Sequence, residues 1–306
     1  MSKAKKRGII LLSIFIGVIL AASLTFYIVF DVKNWQKLDA SKLTVLAQTS
    51  TLYDRQENTI TTLKGSENRT LVTIDDIPLH TQQAFIAAED VRFYEHSGID
   101  VYRIFGALRS NLQSGSLAEG ASTITQQLAK LTHLSSEKTL RRKFEEIYLA
   151  FQIERAYSKN EILTMYLNTV YFGRGAYGIQ AAAQAYFGID AKDLTIAQSA
   201  CLAAIIKAPS VYAPHISPES NKNRRNYILN VMYENDFISF SAMKDAQSES
   251  LWVIAQQDEP QAYSWYVDEI LRESAQIMNC SADEIISGGF QIYTSFDPQL
   301  QAIADR

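Results

Sequence analysis

The chain has 306 residues, of which 47% are hydrophobic and 20% charged, enough for one sizeable domain with a real core and a smaller one beside it. A formal net charge of −4 argues against nucleic acid as a partner and makes any local basic cluster stand out. Two cysteines, Cys201 and Cys280, form no disulfide framework, and His80, His96, His133 and His215 lack the spacing of a protein-held zinc site.

In chain order, residues 9–30 carry no ionisable side chain except the phenol of Tyr27. At about 1.5 Å per residue they make a helix of about 33 Å, enough to cross the hydrocarbon core of a bilayer. Lys3, Lys5, Lys6 and Arg7 precede it and Asp31 follows, so the positive-inside rule places residues 1–8 in the cytoplasm and the remainder outside. A cleavable signal peptide is the other reading, although its apolar core is usually shorter, about 7 to 15 residues, and ends in a small-residue cleavage site.

Residues 31–75 read as a stalk, with a short hairpin between Leu43 and Leu63 around the turn-forming DRQEN. The pattern turns helical after Pro78, and Ala84 to Ala88 are all apolar before Glu89 and Asp90. Further helices are expected at Val101–Leu112, Thr123–Leu131, Leu140–Ala156, Lys159–Asn168, Ala176–Tyr186, Thr195–Lys207 and Arg224–Asp236. The predicted class is mainly α, with one domain over 76–240 and small β elements flanking it. Cys201, inside ACLAAII, is expected to be a buried free thiol.

In 241–306 a polar helical stretch leads to GGFQIYTSFDP. There Phe290, Ile292, Thr294 and Phe296 alternate as in a half-buried strand, and Asp297 and Pro298 read as cap and first residue of a helix. The chain stops within that helix's first turns, which leads us to expect the front portion of a longer protein.

Three constellations carry chemistry. Glu89 follows an apolar run, so desolvation would raise its proton affinity toward the range of a general base; an ordinary surface pair with Arg92 or His96 is the alternative. In TITQ, Thr123 and Gln126 have capping-box spacing at a helix start, a place that with Ser122, Thr125 and Gln127 also offers hydrogen bonds to a phosphate or sugar. Lys130 would add a full positive charge one turn on. The run Lys138, Arg141, Arg142, Lys143, Glu145, Glu146 is either a surface pair on one helical face or a cradle for a diphosphate.

In order along the chain stand EDVRFYEHSG, GASTITQQLAK, RKFEE, KNEILTMYLN with YFGRGAYGIQAAA, and RRNYILNVM. Together, from about Ile77 to Phe237, they resemble the peptidoglycan glycosyltransferases, the lysozyme-like module of class A penicillin-binding proteins and of monofunctional transglycosylases. The preceding hairpin and the GGFQIYTSFDP segment look like the bifunctional members, in which a transpeptidase domain follows.

The resemblance implies that Glu89 is the catalytic base, taking the proton from the 4-hydroxyl of the acceptor N-acetylglucosamine of lipid II. That oxygen would attack the anomeric carbon of the lipid-linked glycan chain with inversion, expelling undecaprenyl diphosphate and forming a β-1,4 bond. Glu146 would be the second acid, facing the diphosphate and any divalent metal such as Mg held with it. Lys130, Lys138 and Arg142 would neutralise the leaving group, Ser122, Thr125, Gln126 and Gln127 would line the donor site, and Asp90, Phe93 and His96 complete the substrate-binding set. Val101–Leu112 would dip into the lipid bilayer beside the lipid tail. Cell-wall synthesis and division proteins are the implied partners, and the outer face of a bacterial cytoplasmic membrane the implied location.

The chain departs from the family pattern at Lys138, where arginine is frequent, at Leu131, where asparagine is usual, and at Gln198, where glutamate is common; these put the efficiency of the donor site in doubt. Two SxxK matches, Ser135–Lys138 and Ser241–Lys244, lack a KTG partner and support no transpeptidase activity in these residues. A lysozyme-like hydrolase or a non-catalytic wall-binding protein would share the fold, but neither has use for two acids beside a cationic cradle.

Overall fold

The computed structural model describes residues 15–23, 25, 27, 28, 30, 32–44, 46–63, 68–106, 122–135, 137, 139–255 and 264–304. A short helix α1 (Ser41–Thr44) precedes strands β1 (Ser50–Tyr53), β2 (Thr59–Leu63) and β3 (Asn68–Arg69). Helices α2 (Leu79–Glu89), α3 (Ile124–His133), α4 (Leu140–Ala156) and α5 (Lys159–Thr169) follow. After β4 (Ala176–Tyr177) come α6 (Ile179–Phe187), α7 (Ile196–Ile205), α8 (Pro209–Tyr212), α9 (Pro218–Glu234) and α10 (Phe240–Ser248). The last part holds α11 (Ser264–Met278), α12 (Ala282–Ser287), β5 (Gln291–Tyr293) and α13 (Pro298–Ala304). The protein is mainly α, and its strands are short.

Helix starts follow from side chains that satisfy free backbone donors. Thr123, Ser158, Thr195 and Ser281 each close a capping box with the residue three positions on, Gln126, Glu161, Gln198 and Glu284. Gln198 thus does at the start of α7 what a glutamate would do there. Helix α7 is apolar nearly all round, a pattern that belongs at the centre of a bundle, and residues 199–205 are buried. Its alanines let α2 and α9 pack closely on it, while Phe85, Phe93, Tyr166, Phe172 and Tyr186 fill the remaining volume. Cys201 lies in this core as a free thiol, and burial pushes its pKa up to about 12, so it is inert at neutral pH.

Two expected helix boundaries move, each for a backbone reason. Helix α6 starts at Ile179 rather than Ala176, because Ala176 and Tyr177 pair in parallel with Asn68 and Arg69 and Gly178 takes φ +84°. A Cβ on Gly178 would lie 2.8 Å from the carbonyl oxygen of Asn168, so only glycine allows this approach. Helix α9 starts at Pro218, six residues before Arg224, since proline suits a first helical turn and the polar ESNKN that follows has no apolar period to reveal it.

The expected hairpin and the expected strand near the end belong to one sheet, in the order β2-β1-β5. Strand β1 runs antiparallel to β2 and parallel to β5, with Leu52 opposite Ile292 and Tyr53 stacked on Tyr293 at 4.9 Å. Leu52, Leu63, Val267 and Ile285 form a second, smaller core beneath it. Asp297 accepts from the backbone N–H groups of Gln299 and Leu300 at the start of α13 and pairs with Arg55 at 2.7 Å, so it caps a helix and closes the sheet at once.

Residues 9–14, 24, 26 and 29 of the expected anchor lie outside the described residues. Residues 15–23 are helical, with Phe15, Ile16, Val18, Ile19 and Leu20 exposed, but among the described residues no helix is long and apolar enough to cross a membrane. The chain beyond it is tied to the helical body: Trp35 packs on Tyr148 of α4, and the backbone N–H of Asp39 donates to His133 Nε2 at 3.0 Å.

Gly178→Ala is expected to cost about 2 kcal/mol or more, from the positive φ and the clash with Asn168. Urea unfolding measures it; an unchanged midpoint means that the turn relaxes freely.

Candidate active site

Helix α2 brings a buried apolar face, Ala84 to Ala87, to a polar end at Glu89 and its C-cap Asp90. The Asp90 carboxylate is buried and accepts from the backbone N–H of Ile124 at 3.0 Å, while His96 Nε2 lies 3.0 and 3.1 Å from its two oxygens. An anion at the free donors of a helix start is favoured by both hydrogen bonding and the helix dipole. Phe93 is fully buried with its ring edge-on to His96, and the Thr123 hydroxyl donates to the carbonyl of Gly98 at 2.7 Å. The EDVRFYEHSG loop therefore wraps the first turn of α3, and Asp90, Phe93 and His96 hold it there.

That wrapping fixes Glu89. Its Oε2 accepts from Gln127 Nε2 at 2.7 Å, and Arg224 of α9 stands 4.0 Å from Oε1. The Arg103 guanidinium donates to the backbone carbonyl of Glu89. Burial raises the proton affinity of Glu89 above the ordinary carboxylate value, although the Gln127 hydrogen bond and the charges of Arg224, Arg103 and Lys207 pull the other way. Its side chain is 16% exposed, so it is mostly desolvated yet reachable. The surface-pair alternative with Arg92 or His96 is not what forms: Arg92 pairs with Asp100, and His96 with Asp90.

Glu146 lies on α4 with its side chain 3% exposed. Arg142 Nη1 reaches its Oε2 at 3.3 Å, and Lys143 donates to Oε1 while also donating to the Ser122 hydroxyl at 2.7 Å. Both acids thus connect to the same stretch of chain, Glu146 through Lys143 and Ser122, Glu89 through Gln127. Ser122 stands just before the cap Thr123, and Gln127 in the first turn of α3, so both attachment points lie at the start of one helix.

The other expected site residues divide. Lys130 is exposed in the last turn of α3, whereas Lys138 lies outside the described residues. Gln126 is buried and its Oε1 closes the capping box, accepting from the Thr123 N–H at 2.9 Å. The Thr125 hydroxyl is buried too and donates to Glu154 at 2.5 Å. Of the hydrogen-bonding set in this motif, Gln127 touches Glu89 directly and Ser122 reaches Glu146 through Lys143. Residues 101–106 are helical, with Val101, Tyr102, Ile104 and Phe105 exposed; 107–112 of the expected bilayer-facing helix lie outside the described residues.

Three groups at the site were given no role by the sequence, and a fourth, Lys143, was read only as part of the basic run. Lys143 sits three residues before Glu146, a spacing that places both on one helix face and was legible. Arg224, Arg103 and Tyr166 come from other elements and have no local signal that ties them to Glu89. As for a metal, a divalent ion needs several oxygen ligands, but the oxygens of Glu146 face Arg142 and Lys143. Among the described residues no three carboxylate, imidazole or thiol groups gather to hold one.

A second ion pair locks the motifs together behind the site. Lys159 of α5 pairs with Glu154 of α4 at 2.7 Å and lies 4.3 Å over the Phe93 ring, while Glu154 also accepts from Thr125 of α3. Lys159→Met should destabilise the protein by about 3 kcal/mol, because it strands a buried carboxylate. Chemical denaturation reads this directly, and a loss below about 1 kcal/mol would mean that the pair is solvated.

The Transglycosylase family model matches residues 56–233. Penicillin-binding protein 1F of Bacillus subtilis (strain 168) is 39% identical over 305 residues, covering 99% of this chain and 42% of that protein. Penicillin-binding protein 1A/1B of the same organism is 42% identical over 307 residues, covering 97% and 33% respectively. The chain therefore spans less than half the length of either relative. A crystal structure of penicillin-binding protein 1A from Haemophilus influenzae aligns over 85% of this chain and 28% of that one, with 22% identity and a TM-score of 0.46. With more than half of its residues matched, and with the family's motifs folded around one helix start, the chain belongs to the transglycosylase family.

Proposed function

We propose that this chain polymerises lipid II into β-1,4-linked glycan strands with inversion, releasing undecaprenyl diphosphate. The observation that carries the reading is the double attachment at α3: a desolvated Glu89 held by Gln127, and a buried Glu146 whose partner Lys143 reaches back to Ser122.

Glu89 has the properties of a general base, since its raised proton affinity brings it nearer to neutral pH and its exposed edge can reach an incoming hydroxyl. In this reading it takes the proton of the acceptor 4-hydroxyl as that oxygen attacks the anomeric carbon of the donor. Arg142, Lys143 and Lys130, with Lys138 where the family frequently has arginine, meet the charge that develops on the departing diphosphate, and fixed cations do this without reorganising. Glu146 orients its two cations. A divalent metal such as Mg, arriving with the diphosphate, would meet Glu146 only where Arg142 or Lys143 gave way, and no step here runs through it.

The architecture we infer is lysozyme-like: a cytoplasmic tail at 1–8, a single-pass anchor at 9–30, a stalk at 31–75, the glycosyltransferase domain at 76–240, and a linker with the start of a following domain at 241–306. The exposed apolar side chains of 15–20 and of 101–105 support contact with a lipid bilayer. The names of the relatives support a penicillin-binding protein; the reading extends this to a bifunctional one on the outer face of the cytoplasmic membrane, working with other cell-wall synthesis and division proteins.

Incubation with lipid II tests the proposal, with polymer growth expected; cleavage of finished glycan instead would mark a hydrolase. Glu89→Gln is expected to lower turnover by at least about 100-fold. The variant should also keep or raise Tm at neutral pH. A carboxyl whose folded proton affinity is raised gives stability that is full below its unfolded value and lost as pH rises through the folded one, and a neutral amide in its place escapes that loss. Calorimetry should therefore show any advantage of Glu89→Gln closing as pH falls toward ~4. Lys130→Ala should raise the donor KM several-fold with little effect on Tm, as expected of an exposed cation.

A further inference from the structure

The phenol of Tyr166 is fully buried on α5, and its hydroxyl donates to Gln127 Oε1 at 3.2 Å. The other end of the same amide, Nε2, donates to Glu89 Oε2 at 2.7 Å. A primary amide has one accepting and one donating end, so a donor fixed on its oxygen leaves only N–H to face the carboxylate. We infer that Tyr166 is a positioning residue for the proposed base: by holding the oxygen end of Gln127 it keeps the amide N–H on Glu89 and favours its carboxylate form.

This rests on the reading of Glu89 as the base. Tyr166 suits the task, because burial and the nearby charges of Glu89 and Asp90 hold its phenol well above the ordinary value, and the hydroxyl keeps its proton at any working pH. Three cations also face Glu89: Arg224 from α9, Arg103 from residues 101–106, and Lys207 just after α7; Asp90 adjoins it in the chain. They attract the carboxylate whichever way the Gln127 amide is turned. The Tyr166 hydroxyl adds an anchor at the far end of the amide, where its donation to Oε1 keeps Nε2 turned to Glu89. Without it, the amide is free to swing its carbonyl onto Glu89, where an oxygen favours the protonated acid.

Tyr166→Phe keeps the ring and removes that donor. In lipid II polymerisation by the protein in lipid–detergent micelles, the acid limb of kcat/KM should move up by about half a pH unit, with a loss of about threefold low on that limb that shrinks at higher pH. In a Gln127→Leu background, Tyr166→Phe should shift the limb no further. A role in packing alone would lower Tm without moving the limb, or would move it equally in both backgrounds, and either result overturns the inference. If Tyr166→Phe does not fold, Gln127→Leu alone must raise the limb, and an unmoved limb likewise overturns it. Wild-type protein that makes no polymer would sink the functional reading instead, so the two failures are distinct.

Discussion

The site depends on one buried carboxylate, that of Asp90. By accepting the backbone N–H of Ile124 and contacting His96, it joins the end of α2 to the start of α3 and fixes the loop between them. Glu89 is the preceding residue, so its position against Gln127 is inherited from its neighbour's attachment. The arrangement places the proposed base in a desolvated spot without burying it alone, because the burial penalty on Glu89 is partly offset by Gln127, Arg224, Arg103 and Lys207.

A second layer holds the first. Glu154 gathers Thr125, Lys159 and, through Lys159, the ring of Phe93, so the motifs at 89–98, 122–130 and 159–168 meet around one acid of α4 that has no assigned chemistry. Residues spread over most of the helical domain thus act as one rigid unit, and rigidity of this kind keeps a base and its cations in register during reaction.

Much of this was legible in the sequence where the signal is local. Capping boxes, the apolar run of α7 and the alternation near the end each follow from spacing within a few residues. Boundaries failed where a glycine conformation or a proline decided them, at Gly178 and Pro218. Spacing could not show the second use of an amide or hydroxyl: Thr125 and Gln126 carry hydrogen-bonding groups suited to a sugar, and in the fold the Thr125 hydroxyl donates to Glu154 and the Gln126 oxygen accepts from Thr123. The cations around Glu89 come from α9, from 101–106 and from beyond α7, and their convergence exists only once the core has packed. Spacing cannot carry that information.

The parallel pairing of β1 with β5 means that the chain's two flanking segments complete each other across the whole helical body. A recombinant fragment cut at residue 240 would keep every motif but turn β1 from a central strand into an open edge, and uncover Leu52 and Leu63. Such a trimmed piece invites self-association through that edge. Engineered versions meant to stay monodisperse should retain residues 264–304, or replace the inward side chains of the hairpin with polar ones.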